Sequence, residues 1–78
     1  MSARRYRLSE DFSASDVVHW HNKAALGETV VIALPAHPSV WLYRCPNDHV
    51  YWCTEGGRGM TVTLADAQQR LAMFQMVC

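Results

Sequence analysis

The residues best equipped for chemistry lie in one short stretch, Cys45-x3-His49-x3-Cys53, where two thiols flank an imidazole. Thiolate and imidazole are zinc ligands, and a thiol beside an imidazole is also the beginning of a nucleophilic pair. The spacing argues against both. Pro46-Asn47-Asp48 is turn chemistry, so the stretch reads as a hairpin in which Cys45 and His49 face each other. Cys53 then sits about 13 Å further along at 3.3 Å per residue, whereas zinc holds its ligands within about 2.3 Å. No third group orients His49 as a base. His19-x-His21 meets a similar objection, because two residues along a helix turn through about 200° and send the imidazoles to opposite sides. Gly56-Gly57-Arg58-Gly59 has the glycine and cation of an anion-binding loop, but it leads into a strand rather than a helix N-terminus. It reads as a turn. There is no Gly-x-Ser-x-Gly elbow, Walker lysine or His-Glu-x-x-His. The expectation is a protein without enzymatic activity, cofactor or bound metal.

Composition narrows the classes further. Seventy-eight residues make one small domain, half of it apolar and 18% charged. Seven basic residues balance seven acidic ones, and a neutral chain is a poor general ligand for phosphate backbones. It is too apolar for intrinsic disorder. No apolar run approaches the roughly 20 residues of a transmembrane helix. The basic N-terminus is followed by Ser, Glu and Asp, unlike a signal peptide. Cys45, Cys53 and Cys78 form an odd set with no framework spacing, which suits reduced thiols and a cytoplasmic location, with no membrane association.

Patterning supplies the elements. Residues 1–12 form a polar, basic arm with Arg4, Arg5 and Arg7, part of which can add as an edge strand through Tyr6 and Leu8. Ser13 with Asp16 resembles a capping box and opens a helix that runs to about Leu26 and stops at Gly27. Thr29–Leu34 is a β-branched strand. Residues 36–39 connect it to 40–45, and 49–54 returns as the hairpin partner. Residues 60–62 form a short last strand, and Thr63 with Asp66 caps a second helix. Leu64, Ala67, Leu71, Phe74 and Cys78 give that helix a core-facing stripe. The fold class is therefore α+β, in the order α-β-β-β-(β)-α. It is an antiparallel meander of three to four strands with both helices on one face, in a single domain over 13–78.

The aromatics are the strongest functional signal. Trp41, Tyr43, Tyr51 and Trp52 crowd one hairpin, and the consecutive Tyr51 and Trp52 must face opposite sides. Bulky groups then occupy both faces, while two helices cover only one. Large aromatics are often half-buried in any case. The sharper reading is a partner surface of Trp41, Tyr43, Arg44, Tyr51, Trp52 and Arg58, because Trp, Tyr and Arg dominate interface hot spots. Which aromatics face out depends on a register that the sequence leaves open.

In size, α+β layout and lack of catalytic motifs, the chain resembles small proteins of phages and mobile elements, the anti-CRISPR inhibitors among them. That resemblance implies a protein partner, such as a subunit of a CRISPR effector, blocked by steric occlusion; a homodimer is a further option. Many such inhibitors mimic DNA through strong acidity, and this neutral chain departs from that pattern. The alternative is a nucleic-acid-binding regulator using the Arg4-Arg5-Arg7 arm and the hairpin aromatics.

Overall fold

Alternating β-branched residues and two helical stretches give five strands and two helices in the computed structural model, which describes residues 4–77. The elements are β1 (Arg4–Arg7), α1 (Asp16–Lys23), β2 (Thr29–Leu34), β3 (His37–Arg44), β4 (His49–Thr54), β5 (Gly59–Thr63) and α2 (Leu64–Val77). They build one sheet in the order β1-β2-β3-β4-β5. The α+β class and the order of helix, strands and helix are as expected. The sheet, however, is mixed and has five strands. β2 to β5 form the antiparallel meander, but β1 joins β2 in parallel, with Arg5 beside Val31 and Arg7 beside Ala33. Direction follows from connection: α1 crosses one face between the two strands and returns the chain to the end where it started. Residues 1–3 of the expected arm and Cys78 lie outside the described residues.

The rest of that arm is structure. Arg7 O accepts from the N–H groups of Glu10, Asp11 and Phe12. The tight loop this makes drives Leu8 and Phe12 into the core. Leu8 N–H continues the sheet by donating to Ala33 O at 3.1 Å.

Helix α1 is shorter than expected at both ends. Asp16 accepts from Ser13 N–H at 2.7 Å, as in a capping box. Ser13 to Ser15, however, form tighter i→i+3 turns before the helix begins. At the other end Ala24 is already extended, and Gly27, at φ +83°, donates its N–H to Arg44 O. Pairing with β3 therefore outcompetes another helical turn. His21 on α1 is buried, and its Nε2 lies 2.9 Å from both Cys45 O and His49 O. Carbonyls only accept, so Nε2 carries the proton and fastens α1 to the β3–β4 turn. His19 is exposed, on the opposite side of the helix.

Strand β3 begins at His37, three residues before the expected start. Pro35 and Ala36 alone make the turn, with Ala36 at φ +56° and Leu34 opposite His37. The register then slips, because Ala33 faces both Pro38 and Ser39. Pro38 has no N–H for a regular ladder. In the next hairpin Asn47 and Asp48 both adopt left-handed backbone, φ +58° and +59°, as their side chains permit. Thr63 Oγ1 accepts from Asp66 N–H at 3.1 Å, so the expected cap of α2 forms. α1 and α2 lie on the same face of the sheet. There Val17, Val30, Ile32, Val40, Leu42, Val50, Val62, Ala67 and Leu71 join one core. No helix among the described residues is long and apolar enough to cross a membrane.

Leu71 is fully buried at the centre of the α2 stripe. Leu71→Ala is expected to lower the unfolding free energy by about 2–5 kcal/mol in a urea titration. A loss of that size is a large share of the 5–15 kcal/mol typical of domains.

Candidate functional site

Alternation along each strand sorts the hairpin aromatics once the register is known. Trp41 lies opposite Cys53, Tyr43 opposite Tyr51, and Leu42 opposite Trp52. Trp41, Tyr43 and Tyr51 therefore share the face turned away from the helices, and Trp52 points the other way. Across that outer face runs a row Arg5-Val31-Trp41-Cys53-Gly59, and beside it Thr29-Tyr43-Tyr51-Thr61. The Tyr43 and Tyr51 rings meet edge-on, centroids 5.7 Å apart at 69°, an arrangement aromatic quadrupoles favour. Tyr51 lies over Gly59, where a Cβ would collide with its ring. Glycine here is a seat for an aromatic. Val31 is 2% exposed although it stands on this face, outside the main core cluster. Its flanking partners Arg5 and Trp41 shield it. A shallow groove of about 270 Å³ runs from Trp41, Tyr43 and Cys53 to the turn at 54–57.

The six residues singled out from sequence do not form one surface. Trp41, Tyr43 and Tyr51 come together. Trp52 is 6% exposed and belongs to the core. Arg70 sits over its ring at 5.6 Å, held by Asp66 at 3.1 Å one helical turn away. Arg44 also lies on the helix side, donating to Cys45 O at 2.9 Å and His21 O at 3.4 Å. Arg58 is exposed in the β4–β5 turn and does not line the outer groove. Arg5 and Arg7 take the place of these two arginines, because the parallel β1 sets them on the outer face beside Val31 and Ala33. The sequence signal for their shared side is the alternation Arg5-Tyr6-Arg7. The signal for their neighbours is absent, since parallel pairing leaves no local mark. Sequence reasoning also missed a second hollow of about 640 Å³ on the helix side, lined by His37, Trp52, Asp66, Arg70, Met73 and Phe74 among others.

The thiols and the imidazole of the Cys45–Cys53 stretch have separate partners. Cys45 Sγ donates to Tyr43 O, Cys53 Sγ to Thr54 O, and His49 Nδ1 to Asn47 O at 2.6 Å. Among the described residues no three His, Cys, Asp or Glu side chains are grouped to hold a metal ion. What the outer face offers instead is flat aromatic and β-branched area, with cations at one edge. No protein-family model, curated protein or solved structure matches the chain.

Two measurements check this placement. Trp52→Ala should destabilise the fold by about 3–5 kcal/mol, whereas Trp41→Ala, at a half-buried site on the outer face, should cost no more than about 1 kcal/mol. Equal losses in denaturant titrations would put both rings in the core. Gly59→Ala should swing the exposed Tyr51 ring off the sheet. It should abolish upfield ring-current shifts at Gly59 and its neighbours, with a stability loss below about 1–3 kcal/mol, since only the tip of a flexible side chain has to move.

Proposed function

We propose that this chain is a small non-enzymatic binding protein that blocks a larger protein assembly by occlusion, with Trp41, Tyr43 and Tyr51 at the centre of the contact. A CRISPR effector is the partner that the resemblance of size and layout suggests. The observation that carries this reading is the aromatic sheet face left without a second layer. Five strands at about 4.8 Å and six residues at about 3.3 Å outline a face on the order of 500 Å². With the adjoining loops that approaches the ~800 Å² each partner contributes to a standard interface. Tyrosine and tryptophan also lose little conformational entropy on docking, having only two side-chain torsions.

A second reading rests on a specific observation, the presence of Arg5 and Arg7 on the face that carries the aromatics. Bases stacked on Trp41 and Tyr43 with phosphates at the arginines would make a single-stranded nucleic-acid platform. Formal net charge zero weighs against it, since two cations supply little of the electrostatic attraction such binders depend on.

The two readings separate in one set of assays. Purified CRISPR effectors are tested for target-DNA binding with a stoichiometric excess of the chain, alongside titration of labelled oligonucleotides at several salt concentrations. Occlusion predicts inhibition that Trp41→Ala weakens by about 30-fold, the equivalent of 2 kcal/mol, while the melting temperature falls far less than in Trp52→Ala. The nucleic-acid reading predicts oligonucleotide affinity that falls with salt, at a log–log slope near −1.4 for two phosphate contacts. Inhibition untouched by Trp41→Ala and Tyr51→Ala would remove the outer face from the mechanism.

A further inference from the structure

The sheet has two edges, and they differ in a way that points to a second copy of the chain. The β1 edge is guarded: Arg4, Arg5 and Arg7 are all exposed along it, and two such edges brought together would oppose six guanidinium groups. The β5 edge, Gly59-Met60-Thr61-Val62-Thr63, has no charge and no proline. It also has no bulge, since all five residues pair with β4 in one register. Charge, proline and bulges are the usual protections of an edge strand.

The ladder shows which backbone groups face out. Leu64 N–H donates to Asp48 O at 2.9 Å, and antiparallel ladders alternate bonded and non-bonded pairs. Bonds to β4 therefore fall at Val62 and Met60, while Gly59, Thr61 and Thr63 turn their backbone groups to the open edge. Thr63 N–H is not recovered by its cap either: Thr63 Oγ1 accepts from Asp66 N–H, but the return bond of a capping box, from Thr63 N–H to the Asp66 carboxylate, is not made. The outward set 59, 61, 63 is symmetric about Thr61.

We infer that β5 pairs antiparallel with β5 of a second copy about a two-fold axis through Thr61, joining two five-stranded sheets into one. In this register the Thr61 N–H of each copy donates to the Thr61 carbonyl of the other. The Thr63 N–H of each likewise donates to the other's Gly59 carbonyl. The Thr63 carbonyl is left to α2, whose first helical bond it accepts as N-cap. Met60, half exposed in the single chain, gains Val62 of the second copy as a cross-strand neighbour. Formal net charge zero removes the repulsion that would oppose like copies. Because the other edge is guarded, the assembly closes at two chains and does not grow into a fibre.

The test is sedimentation equilibrium of the full chain across a concentration series, with amide hydrogen exchange followed at the same concentrations. The expected result is twice the chain mass at high concentration, with Thr61 and Thr63 amides slowing as the dimer forms. Thr61→Pro removes the outward N–H and leaves the β4 bonds intact, so it should weaken association about 30-fold or more, as expected for two lost backbone bonds. Thr61→Lys keeps the backbone and places like charges directly opposite each other; it decides the matter if the proline variant does not fold. An equimolar mixture of T61K and T61E should restore dimer that T61K alone cannot form. A chain monomeric at every concentration overturns the proposal, and so does a dimer that survives T61K unchanged.

Discussion

The register of the β3–β4 hairpin is the constraint on which the rest of this molecule depends. Side chains alternate across a strand, so a slip of one residue would exchange the two faces completely. Left-handed backbone at Asn47 and Asp48 closes the turn, and the bond from Cys45 N–H to His49 O begins the ladder. His21 then bonds both carbonyls of that pair from α1. One buried imidazole thus links the helix layer to the turn that sets the register. With this register Leu42, Val50 and Trp52 enter the core, and Trp41, Tyr43 and Tyr51 do not.

The second constraint is the amount of helix available. Eight residues of α1 and fourteen of α2 are spent on one face of a five-stranded sheet. A small domain has little to place on the other, and its outer face is finished with local devices instead. Arg5 and Trp41 flank and shield Val31, Tyr51 lies over Gly59, and Tyr43 packs edge-on against Tyr51. These contacts order the side chains and still leave the aromatic surface open. Rigid aromatics on a rigid sheet lose little entropy when they dock, which suits the binding role proposed for this face.

The edges extend the same logic. The parallel β1 both completes the sheet and charges one side of it, whereas β5 passes directly into α2 with no charged residue of its own. Arg70 is the link between edge and core, reaching Asp66, the Trp52 ring and Met60 Sδ from one position on α2. Held by Asp66, it keeps Trp52 covered.

Much of this protein is determined by the sequence alone, wherever the cause is local. The β-branched run Thr29–Leu34, the Asn47-Asp48 turn, the Thr63 cap and the Ala67-Leu71 stripe are each written in neighbouring residues, and each forms where the pattern places it. The crowding of aromatics in one hairpin was equally legible, as was the certainty that Tyr51 and Trp52 part company. What tertiary structure decided is everything that needs a distant partner. Parallel pairing of β1 depends on a crossover of the intervening helix, and that pairing set Arg5 and Arg7 beside the aromatics in place of Arg44 and Arg58. The end of α1 yielded to Gly27 and Arg44 because a sheet bond to a residue seventeen positions away outweighed one more helical turn. Above all, the choice between Trp41 and Trp52 rested on which face the helices covered. Alternation states only that two residues differ in side; burial against a second layer decides which side is inside.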